Sequence, residues 1–258
     1  FEEPTSPRPA IIVLSGSDGG IEKAQNIAML LSNYGFVTMA ISYFGMCKQP
    51  SNLNQIPIES IEEALQYLKR LEFVDASNIG IYGRSKGAEL ALLSLTKYSG
   101  LKCAVLNSPS DRVYEGIRGK MNAKHSSWTY EDKEVPYKPF RWIEVIKNKL
   151  FKIPMKDKTG IMELEKVKCP LLLISSFRDE VWNSFDAAMN ILTKVNSLNK
   201  KFVLTTELGH MNTISYLPNI RYNNRSDKIY GEAVVSWEST VSWFIEHLMK
   251  EHKTENVI

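Results

Sequence analysis

Short apolar runs alternate with amphipathic segments along most of this chain, and that alternation limits the folds open to it. "AIIVLSG" (10–16) is apolar, ends in glycine and reads as a buried strand. "IEKAQNIAMLLSNYG" carries Ile27, Leu30, Leu31 and Tyr34 at helical spacing and stops at Gly35. "FVTMAISYF" reads as a second strand, and "PIESIEEALQYLKRLEF" as a helix opened by Pro57, with Ile61, Ala64, Leu65 and Leu68 on one face. "NIGIYG", "KGAELALLSLTKY" and "KCAVLNS" continue as strand, helix and strand. "CPLLLISS", "NSFDAAMNILTKVNSL", "KFVLTTELG" and a helix within "GEAVVSWESTVSWFIEHLMKEH" resume the pattern further on. Repeated strand–helix alternation predicts an α/β protein with a mostly parallel, doubly wound sheet covered on both faces.

The alternation fails between residues 109 and 168. That stretch shows little β-like alternation and many Lys, Tyr and Trp, and it is too long for an ordinary connection. It is expected to be a helical or irregular cap inserted into a domain spanning 10–258, with 1–9 as a polar, Pro-rich tail or linker. Residues 111–160 hold twelve Lys or Arg against seven acids, so they carry +5 of a chain whose net charge is +3. Such a segment is either a solvated surface or a basic rim that attracts an anionic substrate. The overall charge is too mild for nucleic acid to cover the whole surface. No apolar run reaches the roughly 18 residues of a spanning helix and no signal-peptide pattern opens the chain, so a cytoplasmic location is expected. With 258 residues and 43% hydrophobic content, one large core is affordable. Cys47, Cys103 and Cys169 lack metal or redox spacing, and neither a metal nor a cofactor is expected.

"IGIYGRSKGAEL" (79–90) contains Gly83-Arg84-Ser85-Lys86-Gly87, which matches G-x-S-x-G between a strand and a helix. The glycines let the strand and helix pack closely about a strained serine, whose hydroxyl is left exposed above the sheet. A serine hydroxyl needs a base. Of the four histidines, His210 follows the strand "KFVLTTELG" on a loop at the C-terminal edge of the sheet, where a base can reach the serine. His125, His247 and His252 lie in the insert, the last helix and the tail. The acid that orients the base is Asp179 in "LLLISSFRDEVW", with Glu180 as its rival. The order Ser85, Asp179, His210 is that of α/β-hydrolases. An oxyanion hole needs two backbone N–H donors. Lys86 supplies one, and "SGSDGG" supplies the other at Ser17 or at Asp18. This loop has neither a G-x-G-x-x-G fingerprint nor a P-loop lysine, which argues against nucleotide binding.

Several stretches together resemble the C-terminal catalytic domain of the acyl-CoA thioesterases grouped with bile acid-CoA:amino acid N-acyltransferase. These are "LSGSDGG", "GFVTMAISYFG", "IESIEEALQYL", "IGIYGRSKGAEL", "SSFRDEVWNS" with Trp182 three residues after Asp179, and "ELGHMN" followed by "YLP". The resemblance runs from about Arg8 to Leu248. It implies an α/β-hydrolase fold, a triad of Ser85, Asp179 and His210, and an acyl-CoA thioester substrate. It also implies that Ser rather than Cys at the nucleophile goes with hydrolysis. Asp18 stands where the family has a glycine, and Arg84 is unusual beside the nucleophile. Asp18, Arg84 and Trp182 are therefore expected to face substrate, with Trp128, Tyr130, Tyr137 and Trp142 as candidate walls of an acyl pocket. The family carries an N-terminal β-sandwich domain that these 258 residues do not include. Two other readings stay open: a carboxylesterase, dienelactone-hydrolase-like enzyme or peptidase on the same triad, and a non-catalytic binding protein with this fold.

Overall fold

The computed structural model describes residues 6–141, 143, 146, 158–211 and 227–249. Strands β1 (Arg8–Leu14), β2 (Val37–Ile41), β4 (Val74–Arg84), β5 (Cys103–Asn107), β10 (Leu171–Ser176) and β11 (Lys200–Thr205) form one sheet in the order β11-β10-β5-β4-β1-β2. Every neighbouring pair in it is parallel. This is the parallel sheet that the alternating pattern predicts, with the six strands of the α/β-hydrolase fold that the resemblance implies.

Side chains alternate across a strand, so β1 feeds two cores at once. Ile12 and Leu14 enter the larger core with Leu65 and Leu68 of α2 (Glu59–Lys69), Leu90 and Leu93 of α3 (Lys86–Lys97), and Ile191 of α4 (Ser184–Lys194). Ile11 and Val13 enter the other core with Ile27 and Leu31 of α1 (Glu22–Ser32), and Trp237 and Phe244 of α5 (Asp227–Leu248). Burying each such aliphatic side chain stabilises by roughly 1.5–3 kcal/mol. Helix α3 is buried from Lys86 to Thr96, which explains its nearly continuous apolar run "LALLSL" (90–95). The side-chain oxygen of Asn183 caps α4 by accepting the Asp186 N–H at 3.1 Å.

Two local expectations change. Pro57 does not open α2. It ends the short strand β3 (Ile56–Pro57), which pairs with β8 (Trp128–Tyr130), and the helix starts at Glu59. The segment between β5 and β10 leaves the parallel sheet, but its described part is built from short strands as well as irregular backbone. β6 (Glu115–Arg118) and β7 (Met121–Ser126) form a hairpin, and β8 pairs with β9 (Lys133–Glu134). Among the described residues no helix is long and apolar enough to cross a membrane.

The chain order places the crevice. From β1 the chain moves outward to β2 and then returns to β4 on the other side of β1. The loops after β1 and β4 therefore part at the C-terminal edge, where open α/β sheets bind their ligands.

Candidate active site

Ser85 joins β4 to α3 with φ 55° and ψ −122°, a left-handed conformation costing a non-glycine residue on the order of 1–3 kcal/mol. Backbone bonds hold it there. Its N–H donates to Asn107 O at 2.9 Å, and its carbonyl accepts the Glu89 N–H at 3.0 Å. The glycines around it are steric necessities. A Cβ on Gly83 would collide with the Gly87 carbonyl, and one on Gly87 would collide with the Ser15 carbonyl.

The sheet brings the three distant polar residues together. His210 Nε2 lies 2.8 Å from Ser85 Oγ, and His210 Nδ1 lies 2.9 Å from both carboxylate oxygens of Asp179. Asp179 also accepts the N–H groups of Val181 and Trp182, at 2.9 and 3.1 Å. Glu180 does not face the imidazole. It accepts the backbone N–H of His210 at 2.7 Å and so fixes the loop that carries this histidine. Ser108 Oγ donates to the His210 carbonyl at 2.6 Å. Glu232 accepts the N–H groups of Thr206, Glu207 and Leu208 just ahead of it. The Trp182 ring meets the imidazole edge-on at 4.8 Å between centroids and stacks on Tyr114 at 5.4 Å.

Gly16 lies against the serine. A Cβ built on Gly16 would sit 3.6 Å from Ser85 Oγ. Tyr43 pins this loop by donating its hydroxyl to the carbonyls of Ser15 and Gly16, at 2.8 and 2.6 Å. Burial, followed by the carboxylates of Asp18 and Glu89, raises the Tyr43 phenol pKa and keeps it a donor. The first N–H groups of α3 have no partner within the helix, and that of Lys86 follows the serine directly. Ser17 and Lys86 both line a cavity of about 280 Å³ together with Ser85 and His210.

The residues on either side of Ser85 are both basic and both buried. Arg84 reaches Asp18 at 3.1 Å, and Asp18 also receives Lys23 at 2.5 Å. Lys86 turns its ammonium away from the cavity and donates to Glu89 at 2.8 Å, Ser127 Oγ at 2.7 Å and the Tyr114 carbonyl at 3.1 Å. Glu89 also accepts the indole N–H of Trp128 at 2.7 Å. Burial lowers the Lys86 pKa and raises that of Glu89, and each partner opposes the shift of the other.

The aromatic wall expected from the insert is different. Trp128 is fully buried against Glu89, and neither Tyr130 nor Tyr137 lines the cavity. Trp142 lies outside the described residues. Phe140, Ile117, Met121, Val181 and Trp182 provide the apolar lining instead. The basic residues of the insert are also not all on its surface, since Arg112 and Lys138 are buried. His125 pairs with Glu134 on the surface, and His247 contacts Trp243 and Asn199. His252 is outside the described residues. Cys47 is exposed, Cys103 buried and Cys169 half-buried, with burial pushing the Cys169 thiol up to about 12. No group of three or more His, Cys, Asp or Glu that could hold a metal occurs among the described residues. Sequence patterning gave no signal for Tyr43, Glu115 or Glu232, whose partners lie far away along the chain.

Residues 56–250 match the family described as BAAT / acyl-CoA thioester hydrolase C terminal. The chain is 27% identical over 228 residues to Acyl-coenzyme A thioesterase 1 of Mus musculus, covering 82% of this chain and 50% of that protein. It is 24% identical over 269 residues to Acyl-coenzyme A thioesterase 6 of Homo sapiens, covering 94% of this chain and 61% of that protein. The chain thus spans about half the length of the first of these relatives and under two thirds of the second. Among solved structures it resembles a putative dienelactone hydrolase from Klebsiella pneumoniae with a TM-score of 0.62 at 15% identity, covering 94% of this chain and 89% of that one. It also resembles the α/β-hydrolase GrgF from Penicillium with a TM-score of 0.62 at 11% identity, covering 95% and 91%. At these identities the structural likeness bears on the fold alone.

Proposed function

The chain belongs to the BAAT / acyl-CoA thioester hydrolase C-terminal family, and we propose that it is a serine hydrolase that cleaves acyl-CoA thioesters through an acyl-enzyme. In this reading residues 10–258 form one hydrolase domain and 109–168 its cap. The observation that carries the proposal is the hydrogen-bond chain from Ser85 Oγ through His210 to Asp179, opening on the cavity.

His210 takes the proton of Ser85 as Oγ attacks the thioester carbonyl. Asp179 holds the imidazole in the tautomer that leaves Nε2 free to accept, and stabilises the imidazolium that forms. The backbone N–H groups of Lys86 and Ser17 receive the developing oxyanion, a contribution of about 2.7–4 kcal/mol per donor in comparable sites. The intermediate collapses, the C–S bond breaks and coenzyme A leaves as the thiol after taking the imidazolium proton. Water activated by His210 then attacks the Ser85 ester, releasing the acid and restoring the serine. Loop anchoring by Glu180, Ser108 and Glu232 keeps the base within reach through both halves.

Thiol release from a series of acyl-CoA substrates tests the proposal. Turnover is expected for the unaltered protein and its loss for Ser85→Ala. Ester cleavage by Ser85 with no thiol released from any acyl-CoA sinks the thioesterase reading and leaves an esterase on the same residues.

A further inference from the structure

Arg84 places a buried charge where the fold requires none. It ends β4 next to Ser85 and is only 7% exposed, and among the described residues its Nε has no hydrogen-bond partner. Replacing a buried ion pair by apolar groups of similar size is often neutral or stabilising. Stability therefore gives no reason for the guanidinium, and what it holds does.

It holds Asp18, 66 positions away, at 3.1 Å. Asp18 follows Ser17 in the loop after β1, and that loop is anchored at both ends. Tyr43 donates to the carbonyls of Ser15 and Gly16 at one end, and the Gly20 N–H donates to the Phe44 carbonyl at 3.0 Å at the other. Between these anchors the backbone groups of Ser17, Asp18 and Gly19 make no hydrogen bond among the described residues. Ser17 and Asp18 are exposed, and glycine, which follows them, restrains a backbone least. The Asp18 carboxylate is what ties this stretch down. One of its oxygens takes Arg84 and the other takes Lys23 of α1 at 2.5 Å. The Lys23 side chain is half exposed, whereas Arg84 is paired with Asn107 in the sheet and joined directly to Ser85.

We propose that Arg84 is a positioning residue for the oxyanion hole: through Asp18 it holds the loop that presents the Ser17 N–H to the attacked carbonyl. This rests on the serine-hydrolase reading and adds to it a residue that acts through the loop rather than on the substrate. An oxyanion donor works only within about 2.7–3.1 Å of the oxygen it stabilises. A displacement of about 1 Å costs on the order of a hundredfold in rate. A loop fixed at its ends and loose in its middle does not meet that tolerance, and the Arg84–Asp18 pair removes the looseness.

The test measures kcat and KM for hexanoyl-CoA, palmitoyl-CoA and p-nitrophenyl butyrate, and the inhibition constant of an alkyl trifluoromethyl ketone. The ketone adds to the serine and leaves its oxyanion in the hole, so its affinity reads the hole without turnover. Arg84→Met and Asp18→Ala are each expected to lower kcat by about ten- to hundredfold, with KM within about threefold. The ketone should weaken by the same factor, and the urea midpoint should stay near that of the unaltered protein. The double variant should be no worse than either single one, because the two side chains act as a unit. Arg84→Lys, which keeps a cation for Asp18, should recover part of the loss. A loss confined to KM, losses that multiply in the double variant, or losses that track the urea midpoint overturn the proposal. So does an Asp18→Ala variant that turns over normally and restores Arg84→Met, since the guanidinium then only cancels a carboxylate. If the expected pattern holds for the ester and no acyl-CoA is cleaved, the thioesterase reading falls and the proposal stands. If Ser85 takes neither the ketone nor a fluorophosphonate, both fall.

Discussion

Ser85 sits between two buried bases that differ in nearly every other respect. Lys86 is surrounded by partners. Its three N–H donors match Glu89, Ser127 and the Tyr114 carbonyl, and Glu89 in turn holds Trp128. This network ties the first turn of α3 to the strands of the insert. Arg84 has one carboxylate partner, Asp18, which is itself one-third exposed and shared with Lys23. The same charge is thus fully partnered on one side of Ser85 and only partly partnered on the other. What separates them is the cost of removal: taking away Lys86 strands a buried carboxylate, whereas taking away Arg84 leaves Asp18 with Lys23 and water.

Lys86→Met should have the largest effect on stability. Breaking a buried pair by removing one partner costs about 3–5 kcal/mol, read as a lower urea midpoint. The double variant Lys86→Met, Glu89→Leu should recover much of that loss, because no charge is left unpaired. If the single and double variants unfold alike, the pair is not coupled as described. Arg84→Met is expected to cost less than about 1 kcal/mol in the same experiment, since it removes a guanidinium whose Nε is unsatisfied. A loss as large as that of Lys86→Met would erase the contrast. Asp18→Asn breaks a partly exposed pair, and a loss of no more than about 1 kcal/mol is expected from denaturant titration.

Glu163 supplies the solvent-exposed reference. It lies between Lys97 at 2.8 Å and Lys166 at 2.7 Å, and the hydrogen bonds from Lys166 and then Lys97 lower its pKa. A carboxylate whose folded pKa is depressed contributes stability that is present above its unfolded pKa and is lost as pH falls through the folded one. Glu163→Gln should therefore cost a few tenths of a kcal/mol at neutral pH, after screening of an exposed site. The difference from the unaltered protein should vanish in acid below the glutamate range. A difference that persists there contradicts the ion-pair account.

The sheet and the polar trio were legible because their signals are local. Buried parallel strands read as continuous apolar runs, and each of Ser85, Asp179 and His210 directly follows one or lies on the loop beyond it. The insert was not legible as strands. "MNAKHS" in β7 is exposed at most positions, and β9 is the two residues Lys133 and Glu134, so no two-residue alternation can register. Pro57 misled for a related reason: a proline before an amphipathic run is a helix signal, and only pairing with Thr129 reveals the strand. The supporting residues were hidden by distance along the chain. Arg84 meets Asp18 across 66 positions, Lys86 meets Ser127 across 41, and Tyr43 meets Ser15 across 28. Arg84 and Asp18 each stood out as unusual beside the resembling family, but nothing in the sequence joined them.

The central claim is that Ser85 is a nucleophile activated by His210 and oriented through Asp179. Reaction with a fluorophosphonate, followed by mass spectrometry of the labelled peptide, addresses it without assuming a substrate. The account predicts a single adduct on Ser85, none in Ser85→Ala, and labelling slowed by orders of magnitude in Asp179→Asn, where the comparable substitution lowers turnover about 10⁴-fold. An adduct on another residue, or labelling that Ser85→Ala leaves intact, contradicts it.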